Sequence, residues 1–69
     1  MIHEPGTSVT IVSDSGKVDP GMPFVDAAGN TLLGQTGVVC WHDPAEHVYV
    51  ITIDGVQYGV GDDEVKAAE

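Results

Sequence analysis

The stretch CWHDPAEH, Cys40 to His47, gathers one thiol, two imidazoles and two carboxylates into eight residues. Two chemistries are compatible with those groups. A thiolate with a histidine base would be a nucleophile, and two histidines with a carboxylate would be part of a metal site. The first needs a nucleophile–base hydrogen bond of roughly 2.6–3.2 Å. In an extended strand Cys40 and His42 point the same way but lie about 7 Å apart, and no third group is placed to orient His42. Cys40 therefore reads as a small core residue. The metal reading puts His42 and His47 opposite one another across a hairpin, with Asp43 or Glu46 as a third ligand. Structural zinc sites favour four ligands and cysteine pairs, and this chain has a single cysteine. The octapeptide is thus read as a strand, a turn and a strand, with no metal and no cofactor.

The elements that position these residues follow from size and punctuation. Sixty-nine residues, 1–69, make one domain. At this size folding buries only about 60% of the chain's surface. The core supplies about 3–5 kcal/mol, so few residues can be spared for a catalytic cleft. Nine glycines and four prolines interrupt short runs of Val, Ile, Tyr and Thr. That pattern predicts short strands joined by tight turns, and no window sustains a helical apolar period.

Ser8 to Ser13 reads as the first strand, with Val9 and Ile11 on one face. An irregular loop follows, with turns at Asp14-Ser15-Gly16 and Asp19-Pro20-Gly21. FVDAAGNTLL reads as a short hairpin or strand-turn-strand with Gly29-Asn30 near its tip, and GQTG, Gly34 to Gly37, as a further break. Val38 to His42 is a strand and DPAE a turn, with Asp43 capping it and Pro44 at its first central position. His47 to Ile53 is the longest predicted strand. Asp54-Gly55 is a type I′ hairpin signal, and Val56 to Val60 pairs back with Val56, Tyr58 and Val60 on one face. Asp62 and Asp63 begin a single helical turn that sets Val65 against the core, and residues from Ala67 onward are expected to fray.

The succession G-V-V…V-Y-V-I-T-I-D-G-V-Q-Y-G-V…D-E-V resembles the SH3-like barrels of the KOW, Tudor and photosystem-accessory type over the second half of the chain. The resemblance implies an all-β, small five-stranded SH3-like barrel with a short C-terminal turn, and a habit of binding partners. It transfers no functional residue.

Charge narrows the partners. Eleven acids face two lysines, Lys17 and Lys66, for a net charge of −9. Phosphate backbones and anionic membranes are bound through Lys and Arg, so direct nucleic-acid and membrane binding are disfavoured. A partner with a basic surface would be attracted. The acidity also has a simpler reading, as a solubilising surface. GNTLLGQTG lacks the lysine of a phosphate loop, and Asp62-Asp63-Glu64 lacks the register of a calcium loop. MIHEPGTS shows no basic and apolar sequence of a signal peptide. The expected location is cytoplasmic or virion-associated.

On the longest predicted strand Val48, Val50 and Thr52 share one face, and Tyr49, Ile51 and Ile53 the other. Both faces are largely apolar, while a barrel buries one. Either loops cover the second face or it is an interface. Trp41 and Cys40 are expected on opposite faces, so one of them lies outward. These features predict a non-enzymatic protein-binding or structural module. It would bind through Trp41, Val48 and Val50, with an acidic rim of Asp62, Asp63 and Glu64. The partner would be another protein or copies of itself, as in an accessory piece of a larger assembly such as a tailed-phage virion. The alternative is an acidic inhibitor that mimics nucleic acid.

One prediction belongs to the octapeptide. Elemental analysis after mild dialysis should find no stoichiometric metal. One zinc or nickel per chain, lost when His42 and His47 are changed to alanine, would refute it.

Overall fold

β-branched residues alternating with small or polar ones favour a pleated, half-buried backbone, and they set the strand positions here. The computed structural model describes residues 3–13 and 24–68. Among these residues there are five strands and no helix, so no helix is long and apolar enough to cross a membrane. β1 is Ser8–Ile11, β2 Thr36–Asp43, β3 Val48–Ile53, β4 Val56–Gly61 and β5 Val65–Ala67. Every pairing is antiparallel, in the order β4-β3-β2-β1-β5. The chain is therefore all-β, as expected. The turns predicted at 14–16 and 19–21 lie outside the described residues.

One side of this sheet carries the core: Val9, Ile11, Leu32, Val39, Tyr49, Ile51, Ile53, Val60 and Val65, with Phe24 and Tyr58 packed against it. Burial alternates strictly along β3, with Tyr49, Ile51 and Ile53 inside. Truncating a fully buried aliphatic such as Ile51 costs about 2–5 kcal/mol. That is comparable with the whole stability of a domain this small, so the inner phase of each strand is tightly specified.

Several boundaries differ from the sequence reading. β2 is the longest strand, because the break expected at Gly34 to Gly37 is taken up into it from Thr36 onward. Gly37 is required by close approach: a Cβ there would lie 2.8 Å from Ile53 Cγ1 and 3.0 Å from the Thr52 carbonyl oxygen. The short hairpin expected at 24–33 is present in minimal form, one antiparallel bridge, Val25 to Thr31, with the Asp26 N–H donating to the Asn30 carbonyl and the Leu32 N–H to the Phe24 carbonyl. The Asp26 side chain holds its turn, accepting the N–H groups of Ala28 and Asn30 at 2.9 Å each. The Gln35 side-chain amide also donates to Asp26 (2.9 Å). These hydrogen bonds, that of Gln35 first, hold the Asp26 carboxyl below its ordinary pKa.

At the C-terminal end a turn carries the chain from Gly61 to Val65, and Ala67 is paired rather than frayed, opposite Val9 in the ladder with β1. No ladder joins β4 to β5 among the described residues. Hydrogen bonding among the described residues thus leaves the sheet with two outer edges.

The Asp54-Gly55 turn is as the sequence indicated. Both central residues have positive φ, 51° and 80°, between the paired Ile53 and Val56. Nothing lies within 4 Å of a Cβ built on Gly55, so a substitution there costs backbone strain rather than collision. Gly55→Val should destabilise by roughly 1–2 kcal/mol, and Gly55→Asn by less, since asparagine tolerates the left-handed region. Urea melts of both variants check the order; equal stabilities would contradict it.

Candidate docking face

The outer side of the β2–β3–β4 meander is shaped by one irregularity. β2 and β3 pair Val38 with Thr52 and Val39 with Ile51, but then Trp41 with Val50, His42 with Tyr49 and Asp43 with Val48. Cys40 is the extra residue of a β-bulge. An inserted residue shifts the period-2 alternation by one. Val39 points inward, so an unbroken strand would send Trp41 inward as well. The bulge sends Trp41 outward instead, 50% exposed, and turns His42 toward Tyr49.

Three sequence-based expectations are corrected by this bulge. Cys40 and His42 do not share a face. Cys40 is not a core residue but half-buried, its Sγ 2.7 Å from Thr52 Oγ1. Cys40 and Trp41 both belong to the outer side. His42 and His47 do not face each other either. The His42 ring stacks on Tyr49 at 4.4 Å, with its Nε2 buried and unpartnered. His47 lies in the turn and places Nδ1 3.3 Å from Asp62 Oδ2. Among the described residues no three His, Cys, Asp or Glu side chains converge on a metal-sized point.

Val38, Cys40, Trp41 and Asp43 of β2, Val48, Val50 and Thr52 of β3, and Gln57 and Gly59 of β4 make up the outer face. Asp43, opposite Val48 at one end, brings a charge to it. Val50 lies opposite Gly59, which offers no side chain, so Val50 and Trp41 form the raised apolar centre. Trp41 and Val48 also line a cleft of about 650 Å³ at the end of the meander, together with Asp43, Glu46, His47, Gly61 and Asp62. Its loop is held by Asp43, whose Oδ1 accepts the N–H groups of Ala45 (3.0 Å) and Glu46 (3.3 Å). His47 closes the turn at φ 56°, a left-handed conformation that costs a non-glycine residue roughly 1–2 kcal/mol. That conformation is why β3 begins at Val48 and not at His47.

The expected acidic rim is only partly correct. Asp62 and Asp63 are exposed, but Glu64 is 1% exposed and belongs to the interior. Its Oε1 accepts the Gly61 N–H at 2.5 Å, and its N–H donates to the Gly61 carbonyl at 3.0 Å. Its own carbonyl accepts the Val12 N–H at 2.7 Å. Glu64 therefore ties the end of β4 to the end of β1. Asp43 and Glu46 take its place beside the apolar centre. Their place there was obscured in the sequence because both were weighed as metal ligands. The usable signal was a turn placed between the strand of Trp41 and the strand of Val48.

Glu64→Ala should cost about 1–3 kcal/mol, the penalty of orphaning the buried Gly61 N–H. Asp62→Asn, at an exposed side-chain contact with His47, should stay within about 1 kcal/mol. Chemical denaturation of the two variants tests the contrast, and similar losses would place Glu64 at the surface. Comparison with known proteins returned no family model, no curated protein and no solved structure that matches the chain.

Proposed function

We propose that this chain is a non-enzymatic protein-binding module, an SH3-like barrel that docks a partner on the outer face of β2–β3–β4. The observation that carries the reading is an exposed tryptophan, Trp41, paired with Val50 on a largely apolar sheet face and flanked by Asp43, Glu46 and Asp62. Aromatic residues in such settings anchor interfaces, while rim charges steer encounter. The three-stranded meander with its tight turns, on which the resemblance to SH3-like barrels rests, is present as β2–β4, and this supports that assignment.

The partner is a protein with an apolar centre and a basic rim. A second copy would bring the same carboxylates and a net charge of −9 to the contact, which opposes self-association. The small size supports an accessory role in a larger assembly, such as a tailed-phage virion, with the chain in the cytoplasm or on the particle.

The test is affinity capture of the partner from the native host, followed by binding measurements against ionic strength. Trp41→Ala should cost at least about 2 kcal/mol of binding, and Val50→Asp should weaken binding too, with melting temperatures close to wild type. Neutralising Asp43, Glu46 and Asp62 should mainly slow association and flatten its salt dependence. Unfolding by the first two substitutions would make those side chains structural and overturn the reading. If the charge change alone abolished binding and DNA competed for the partner, mimicry of nucleic acid would replace it.

A further inference from the structure

The two ends of the sheet are protected differently. β5 is three residues long and carries Lys66, and shortness and lysine both discourage the addition of another strand. β4 has neither device. Its six residues, VQYGVG, hold no charge and no proline, and they pair with β3 without a register shift.

The hydrogen-bond phase of β4 follows from its turn. A two-residue type I′ turn makes Ile53 and Val56 a hydrogen-bonded pair, and such pairs then alternate along an antiparallel ladder. Ile51 with Tyr58 and Tyr49 with Val60 continue the series. Asp62 extends it, donating its N–H to the His47 carbonyl at 2.9 Å. Gln57 and Gly59 fall in the opposite phase, so their N–H and C=O groups are aimed away from β3. Both residues are exposed, and among the described residues no backbone group bonds to their N–H or C=O. Gly61 has the same phase but is closed off, its N–H and its carbonyl both engaged by Glu64. A segment of exposed, outward-directed donors and acceptors therefore remains at Gln57 and Gly59.

We infer that β4 is an edge for strand addition, taking an extended segment of a basic partner protein. The inference rests on the docking reading above and adds its mode: main-chain hydrogen bonds to Gln57 and Gly59 supply affinity, and side chains supply selectivity. Side chains of the added strand can lie across Gly59 toward Val50 and Trp41, which makes the edge continuous with the apolar face. Charge chooses the occupant. Antiparallel pairing of two β4 strands through Gln57 and Gly59 sets Asp54 of one copy against Asp62 of the other, at both ends. Like charges facing each other across a ladder are destabilising. A foreign strand with lysine or arginine at those places removes the repulsion.

The probe is a short capped peptide alternating valine with lysine, titrated into the full chain and followed by backbone amide NMR. The largest shifts are expected at Gln57 and Gly59. N-methylating every second amide of the peptide should abolish binding in one phase and spare it in the other, because a strand pairs through one edge. Gly59→Pro removes an N–H that β3 does not use, and it should weaken binding at least about tenfold, or 1.4 kcal/mol. If that variant folds poorly, the two methylated peptides decide the matter with the wild-type chain. Shifts confined to Trp41, Val48 and Val50, with both methylated peptides binding alike, would overturn strand addition and leave the docking face standing. Failure of the peptide to bind would overturn strand addition, while the docking face would still be judged by Trp41→Ala with the captured partner. A wild-type dimer that Gly59→Pro makes monomeric would show a second copy to be the occupant and overturn the choice of a foreign strand.

Discussion

The extra residue at Cys40 is the constraint on which the rest of the molecule depends. A strand that pairs on both sides must keep its apolar residues in one phase, and a slip of one residue exchanges inside for outside. β2 has to satisfy that rule twice. Gly37 and Val39 face the core near β1 and Ile51, whereas the distal half must set a ring against Tyr49. The bulge reconciles the two by letting His42 take the inner place beside Tyr49 and by sending Trp41 outward. Tyr49 is 2% exposed, and its hydroxyl accepts the His3 N–H at 2.9 Å. The rephased half of β2 thereby also helps to anchor the N-terminal segment.

Core and outer surface are separated by this arrangement. Core residues of the meander, Tyr49, Ile51, Ile53 and Val60, lie in one phase of β3 and β4. The outward-facing Val48, Val50, Gln57 and Gly59 lie in the other. A surface built in the outward phase can change without opening a cavity in a core too small to tolerate one. Glu64 marks the limit of that freedom. Its carboxylate is used to close the Gly61 end of β4, which ties the extent of the open edge to the stability of the connection between β4 and β5.

The acidic chain and the apolar face act at different ranges. Exposed carboxylates are felt over a Debye length of roughly 8–10 Å, enough to orient an approaching basic surface. In the proposed docking the contact itself would depend on desolvating Trp41 and Val50, an energy that scales with buried apolar area. Asp43 contributes to both: its side chain builds the turn beside Trp41, and its charge belongs to the rim of the cleft.

Sequence by itself determined the features encoded within a few residues. Asp54-Gly55 specified a type I′ turn because both positions need positive φ. The alternation of Tyr49, Ile51 and Ile53 specified a strand with one buried side. Tertiary structure decided whatever depends on what lies opposite. Local pattern could not reveal the bulge at Cys40, since VVCWH reads as unbroken alternation and only the pairing with Ile51 and Val50 exposes the extra residue. Hence Cys40 was read as a core residue, and its face relative to Trp41 and His42 was assigned wrongly, while the outward Trp41 was expected. Gly37 looked like a chain break because its reason for being glycine, the approach of Ile53 and the Thr52 carbonyl, is remote in sequence. Glu64 looked like a surface acid beside Asp62 and Asp63 because composition carries no information about the buried Gly61 N–H that it accepts. In each case the physical cause is the same: a residue's burial and hydrogen-bond partner are set by the strand across from it, and register is a property of the pair.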